Sequence, residues 1–500
     1  MRRRRRDRSR IPRGGFARCL CAVALALVAR PAAPAEAPTP EKKQIRYELE
    51  SVELRGNKRT RSSVILRYVP FRAGDVLDVE DPELELIRYR LLGTGFFSSA
   101  QVSLRRGSKR GRAVLTVSVE ERNTLIVENV AMGIAADEDT DGNSQPISPF
   151  VGLSGAETNL AGTGIAVGAG FAAAADQYAL QTRFADASLF GTAWRVDAEL
   201  HYIDARDFFG SRDVRFESPA LEQRQVTDYA VVAYRRYGGT VGTGYELGIP
   251  LTLRLAYQLD RVEAVMPTVA SHIRGETREP IEIAMLPGGS FVSAIQGALV
   301  YDTRDAPFLP RRGILAELKA KAATSPFGSS YTFGKLETHI ASWHALPWRH
   351  VIAFRGGFGA IAGDAPFFEQ FYVGDYSDLL PDRILGLSPD RRQPPNLFDT
   401  SIIEIRYGQF AAKVETEYRI PLYTGGSSIY GIDFFGALGL YGVANERDFR
   451  DPPSGYNGLS RVPVDLTYNL GLRVETYLGG FSVAFSNLFG LLPGQGGARK

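Results

Sequence analysis

The stretch YDTRDAPFLPRRGILAELKA, residues 301–320, changes character at Gly313. Its first half crowds Asp302, Arg304, Asp305, Arg311 and Arg312 around Pro307 and Pro310. Its second half alternates, with Ile314, Ala316, Leu318 and Ala320 on one side and Leu315, Glu317 and Lys319 on the other. A repeat of two is the signature of a strand, whose successive side chains point to opposite faces. A charged turn therefore feeds directly into a strand that is apolar on one face and charged on the other. Such a strand touches two different solvents.

The same alternation recurs from Thr124 onward, while helical periodicity nearly vanishes. RVDAELHYI sets Val196, Ala198, Leu200 and Tyr202 against Arg195, Asp197, Glu199 and His201. TLRLAYQLD sets Leu253, Leu255, Tyr257 and Leu259 against Arg254 and Gln258. KVETEYRI and LTYNLGLRVE repeat the pattern, with Val414, Thr416, Tyr418 and Ile420, then Leu466, Tyr468, Leu470, Leu472 and Val474, on the apolar side. Many segments are long enough to cross a bilayer when tilted, at about 9–11 residues, whereas soluble strands usually have about 5–6. Short connections such as FGTA and GG interleave with long polar loops near 204–225, 261–290, 362–400 and 443–463. Transmembrane barrels show this asymmetry, with short turns inside and long loops outside. The expectation is an antiparallel barrel of about sixteen strands over 124–490, apolar face to lipid and charged face to a wet lumen.

Composition agrees. Gly is abundant at 52, Tyr (22) and Phe (28) are frequent, and only 2 Cys occur. The net charge of +3 hides a split. Residues 1–35 carry ten Arg and one Asp, +9, which leaves −6 for the remainder. A basic nucleic-acid surface is therefore not expected. The Arg-rich start, the apolar run CLCAVALALVA and the small residues Ala33 and Ala35 read as a secretory signal over 1–35, cut after Ala35. Both cysteines precede that cut, so the exported chain would be free of disulfides.

Between leader and barrel, 45–122 reads as a small α/β module in the order β-α-α-β-β. IRYELESVELRGN ends in a Gly-Asn turn, and Val64, Ile65, Tyr68 and Val69 follow at helical spacing. A second helix is well marked: Asp81 caps it, Pro82 suits its first turn, Glu83 and Glu85 favour the positive end of its dipole, and Leu84, Ile87 and Leu91 share one face. AQVSLRRG and RAVLTVSVEE complete a three-stranded sheet. Such a sheet can expose an unpaired edge, to which an extended peptide adds by main-chain hydrogen bonds. Service as a mere spacer is equally compatible with the module alone.

Module followed by barrel resembles the BamA/TamA superfamily of outer-membrane assembly proteins, whose periplasmic modules are called POTRA domains. Three stretches carry the resemblance: FSSAQVSL after LLGTGFF, the passage from helix to strand in a POTRA domain; ETNLAGTGIAVG, with Asn159, Gly162 and Gly164, the early barrel hairpin; and YDTRDAPFLPRRG, the mid-barrel periplasmic turn. In that turn Asp302, Arg304 and Asp305 can pair, Pro310 ends the segment and Gly313 permits sharp re-entry, so that the charges fix the register of two strands. The resemblance also implies a long loop, here about 363–400, that folds into the lumen. Phe371, Tyr372 and Gly374 match its lead-in, but Arg383-Ile384-Leu385-Gly386-Leu387 replaces the family's contiguous Arg-Gly-aromatic signature. Arg383 is expected to reach a wall carboxylate, Glu415 or Glu417, because a lumenal Arg needs a partner. Two further departures are one module instead of several, and a C-terminal stretch FSVAFSNLFGLLPGQGGARK without a terminal aromatic. A short closing strand leaves a seam, which in the family is where client strands enter the membrane.

Catalytic chemistry is not indicated. The five His are scattered, and His339 and His344 would face opposite sides of a strand. GTGIAVGAG precedes a strand pattern rather than a helix, so it does not cradle phosphate. No enzyme, cofactor, metal, nucleic acid or small-molecule substrate is expected. The resemblance implies an outer-membrane protein, POTRA domain in the periplasm, that contacts lipid and inserts or translocates unfolded outer-membrane or secreted polypeptides captured at the POTRA edge. The alternatives are a two-partner-type polypeptide secretion pore, and a surface-antigen or passive-pore barrel without assembly activity.

Overall fold

The computed structural model describes residues 46–138, 144–210, 229–248, 250–266, 271–274, 277–280, 283–306, 309–377, 383–388, 407–426, 428–449 and 464–486. The expected leader, 1–35, lies outside them, as do the tail from 487 and parts of the long loop.

The N-terminal module runs β1 (Arg46–Arg55), α1 (Ser62–Leu66), β2 (Val76–Asp78), α2 (Pro82–Gly93), β3 (Phe97–Arg106) and β4 (Arg112–Glu121). Its sheet has four strands in the order β2-β1-β4-β3 rather than the three expected. The addition, β2, is three residues long, too short to show a period in sequence. β4 pairs parallel with β1 and antiparallel with β3, which leaves β3 as the long edge. Helix α2 forms as its sequence dictates. The Asp81 carboxylate accepts from the Glu83 N–H at 2.9 Å, Pro82 occupies the first turn, and Ile87 and Leu91 are buried. They join Leu49, Val64, Ile65, Leu115 and Val117 in one core. Burial of each such side chain stabilises the module by about 1.5–3 kcal/mol.

The rest is one antiparallel sheet of fifteen strands among the described residues. It begins with β5 (Leu125–Glu138), β6 (Ser144–Glu157), β7 (Ile165–Ala174), β8 (Gln177–Asp186), β9 (Trp194–Gly210), β10 (Tyr229–Gly248) and β11 (Leu251–Val265). A separate hairpin, β12 (Ser271–Arg274) and β13 (Thr277–Pro280), interrupts it. The sheet resumes with β14 (Gly288–Asp302), β15 (Gly313–Ala323), β16 (Phe333–Ala345) and β17 (Val351–Gly363). After the long loop, which holds β18 (Phe371–Tyr372), helix α3 (Gly374–Ser377) and β19 (Tyr407–Gly408), it ends with β20 (Phe410–Thr424), β21 (Ile429–Ala444), β22 (Asp465–Thr476) and β23 (Gly479–Ser486).

The apolar faces point outward. Leu200 is 65% exposed, Leu255 55% and Val414 66%, and Leu253, Tyr257, Leu259, Ile314, Leu318, Leu470 and Leu472 are exposed with them. The charged faces point inward, where Asp260, Glu415, Glu417, Arg419 and Asp433 are buried. A protein that turns its aliphatic side chains out over most strands of a barrel is built for hydrocarbon. Pairing of each strand with its neighbours leaves backbone groups without a ladder chiefly along the sheet's two end strands, among the described residues.

The expectation of a charged face to a wet lumen needs correction in part. Between the charged clusters lies an apolar core that joins wall residues such as Ile203, Val232, Val262 and Val292 to Phe367, Phe368, Phe371, Tyr372 and Leu387 of the long loop. Packing of that loop supplies the apolar partners these inward wall residues require.

Candidate functional site: the barrel mouth, its plug and its seam

The turn between β6 and β7 is where the module meets the barrel. Asn159 is buried there, and its Nδ2 donates to Thr60 Oγ1 at 3.0 Å while its Oδ1 accepts from the Gly164 N–H at 2.7 Å. The Arg61 N–H donates to the Gly162 carbonyl at 2.9 Å. Gly162 has φ +73°, and a Cβ there would meet the Arg59 carbonyl oxygen at 2.0 Å, so the position needs glycine twice over. Gly164 lies against Val64 of α1. On the module side the Glu121 carboxylate, at the end of β4, accepts from the Thr60 N–H at 2.6 Å and the Arg59 N–H at 2.9 Å. Burial pushes the Glu121 carboxyl up, but these N–H donors outweigh it and hold the group below the ordinary carboxylate range. The three residues expected to shape an early hairpin thus also dock the module. The turn between β8 and β9 shows the contrast. It repeats the fold of the first, with Phe190 and Gly191 at positive φ where the first has Ala161 and Gly162, but Phe190 projects away from the protein.

The turn between β14 and β15 is ordered by its charges. Arg304 pairs with Asp302 at 2.7 Å, and Asp305 accepts from the N–H groups of Arg311 at 2.9 Å and Arg312 at 3.2 Å. Gly313 has φ +112°, and a Cβ there would meet the Thr303 carbonyl oxygen at 2.3 Å. Pro310 is buried, and its carbonyl accepts from Arg419 of β20, three strands round the sheet from β15. Arg419 stands in a cluster centred on Glu417. Arg355 and Arg473 reach Glu417 at 2.7 and 2.6 Å, Arg419 at 3.4 Å, and Arg419 also lies 3.7 Å from Asp433. The turn therefore folds inward and is anchored on the wall three strands away.

Arg383 does not take the partner expected of it. Its guanidinium pairs with Asp375 of its own loop at 2.7 Å and donates to the Phe368 carbonyl at 3.1 Å. Glu415 and Glu417 are held instead by the wall cations Arg355, Lys413, Arg419 and Arg473. Carboxylates one strand repeat from several guanidiniums are already satisfied, so a more distant Arg gains nothing by reaching them. The loop is fixed by other means. Glu369 accepts from Lys321 at 2.6 Å, and Lys335 donates to the Glu369 carbonyl at 3.0 Å. Asp207 of β9 accepts from Tyr407 at 2.6 Å and from Tyr234 at 3.3 Å. Phe371 and Tyr372 are buried, and Phe371 fills the space beside Gly359. Gly374 opens α3. Ile384 and Leu385 lie on the bare backbone of Gly152 and Gly170, and Gly386 abuts Ile203. Glu369, Asp207 and Tyr407 were not singled out from sequence. Glu369 carries one signal, a charge in the largely apolar run PFFEQFYVG, but Asp207 and Tyr407 stand beside other charges, and neither setting names a partner.

The sheet's two ends do not form a ladder. Fourteen antiparallel pairings separate β5 from β23, so the two edges run in the same direction. They touch where the module enters: the Val127 N–H donates to the Leu478 carbonyl at 2.6 Å, and Asn123 Nδ2 donates to the Tyr477 carbonyl at 3.0 Å. β5 has fourteen residues and β23 eight. Beyond Val127 no ladder joins them among the described residues.

A family model described as the Omp85 superfamily domain matches residues 159–380, and one described as surface antigen variable number repeat, the POTRA module, matches 47–122. The chain belongs to the Omp85 superfamily. It is an outer-membrane barrel, with its POTRA module in the periplasm. It is 22% identical over 363 residues, 70% of this chain and 39% of the relative, to outer membrane protein assembly factor BamA of Nitratidesulfovibrio vulgaris strain Hildenborough, and so spans about two fifths of that relative's length. Among solved structures, CdiB from Escherichia coli is similar with a TM-score of 0.52 at 11% identity, over 88% of this chain and 73% of that one. BamA from Haemophilus ducreyi lacking POTRA domains 1–3 aligns with a TM-score of 0.46 at 14% identity, over 88% and 80%. In this Omp85 protein the module-side turns are periplasmic.

Proposed function

We propose that this Omp85 protein inserts client polypeptides into the outer membrane by strand addition, first at the POTRA edge and then at the seam. The observation that carries the reading is the seam. A closed antiparallel barrel needs an even strand count, and the fifteen described strands leave β5 and β23 parallel, in contact at the periplasmic end and joined by no ladder among the described residues. One strand antiparallel to both edges would satisfy the N–H and C=O groups that no ladder pairs among the described residues. In hydrocarbon each unpaired group costs several kcal/mol, so an incoming client strand gains most where the gap faces lipid. The free edge β3, on a module tied to the barrel through Thr60 and Arg61, supplies a place to hold an extended client near that gap. Folding of the client, which buries apolar surface in lipid, provides the driving force. The aromatic plug disfavours the alternative of export through the lumen.

Photo-crosslinkers at Gln101 on β3 and at Val130 on β5 test the reading in living cells. Adducts with unfolded barrel precursors at both positions are expected. A single soluble exported partner would point to two-partner secretion, and no client at either position to a barrel without assembly activity.

A further inference from the structure

Beyond the polypeptide pathway, the periplasmic rim holds a cationic cavity of about 750 Å³ between helix α2 and the turns that follow β14 and β16. Its walls carry four guanidiniums, Arg88, Arg311, Arg312 and Arg349, against one carboxylate, Asp305. That carboxylate accepts through Oδ1 from the backbone N–H groups of Arg311 and Arg312, and no ion pair joins it to their side chains among the described residues. Arg88 lies over the Tyr89 ring and Arg349 bonds only to the Thr424 hydroxyl among the described residues. The remaining wall is apolar, from Leu92, Ala345 and Leu346.

Position fixes what such a cavity meets. Trp348, next to Arg349, is 84% exposed, as suits an aromatic ring at the membrane–water boundary. Tyr301 and Ile314, lipid-facing and exposed, begin the spanning part of β14 and β15 just past the turn. The cations therefore stand at headgroup depth under the periplasmic leaflet. Concentrated guanidiniums prefer phosphate, which they engage by paired N–H···O bonds.

We infer that this cavity, between helix α2 and the β14–β15 and β16–β17 turns, binds the phosphate headgroup of an anionic phospholipid from the periplasmic leaflet. The lipid would join module, turn and bilayer through one phosphate, with its acyl chains along Ile314 and Tyr301. It would hold the module against the membrane plane independently of any client.

Native mass spectrometry of the delipidated full chain, titrated with phosphatidylglycerol or phosphatidylcholine in mixed micelles, tests this. The parent should retain phosphatidylglycerol about ten-fold more strongly than phosphatidylcholine, equivalent to about 1.4 kcal/mol. Arg311→Gln with Arg312→Gln should abolish the preference, and Arg110→Gln, on a distant exposed turn of the module, should keep it. Heat-modified gel mobility checks that each variant is folded, and Arg88→Gln on the opposite wall replaces the double variant if that fails. Equal retention of the two lipids, or an unchanged preference in the wall variants, overturns the proposal. Displacement of the lipid by inorganic phosphate at equal concentration would assign the site to free phosphate and overturn the lipid assignment.

Discussion

Glu417→Gln should destabilise the barrel and loosen its periplasmic mouth. Glu417 is 0% exposed and faces three guanidiniums. Removal of one partner from a buried ion pair costs about 3–5 kcal/mol because a charge is left uncompensated. Two of the three cations keep something. Arg355 retains Glu415 at 2.8 Å, and Arg419 retains Asp433 and the Pro310 carbonyl. Arg473, bonded to both Glu417 oxygens, loses its carboxylate. One orphaned guanidinium places the loss near the lower limit, about 3 kcal/mol. With a urea slope of about 2 kcal/mol/M, the unfolding midpoint should fall by about 1.5 M. The assay is a urea titration in lipid or detergent, read by the gel mobility of folded and unfolded barrel. Arg473→Gln added to Glu417→Gln removes the orphan and should recover about half of the loss, a coupling expected of residues in contact. A midpoint unchanged by Glu417→Gln, or a double variant that falls by the sum of the singles, would refute the reasoning and mean that water already screens the cluster.

Gly162→Val adds a β-carbon in a left-handed conformation, which alone costs about 1–2 kcal/mol, and drives it into the Arg59 carbonyl. Limited proteolysis should then separate POTRA module from barrel faster, while heat-modified mobility stays as in the parent. The tie at Glu121 should depend on pH. Its folded-state pKa is depressed, so its contribution is complete above the ordinary carboxylate value of about 4.3 and disappears as pH falls through the lower folded value. Hydrogen exchange at the Arg59 and Thr60 amides should accelerate, beyond its intrinsic pH trend, across that window and not between pH 6 and 8. Arg383→Ala removes the bonds to Asp375 and the Phe368 carbonyl, a local loss of about 1–3 kcal/mol. Planar-bilayer conductance should rise with little change in the unfolding midpoint.

A two-residue alternation reports which solvent each side chain meets, and it does so locally. Leu253, Leu255, Tyr257 and Leu259 face out and Asp260 faces in, as the spelling of that one strand requires. Helix α2 was equally legible, because its cap, its first-turn proline and its buried stripe lie within twelve neighbouring residues. By contrast β2 is three residues held by pairing alone, and no local pattern marks it.

Partner choice was not legible. Asn159 meets Thr60 across 99 residues of chain, and Arg419 meets Pro310 across 109. The sequence placed Asn159 and Pro310 in turns, but their contacts exist only once the strands are wound into a barrel. Arg383 turned to Asp375 because the wall had already neutralised Glu415 and Glu417, a competition among charges that no spacing encodes. The amino-acid order by itself determined an apolar exterior, a charged interior and a capped module. Only the barrel geometry decided which charges met, where the module docked and where β5 and β23 touch at the seam, because each depends on distances around the barrel rather than along the chain.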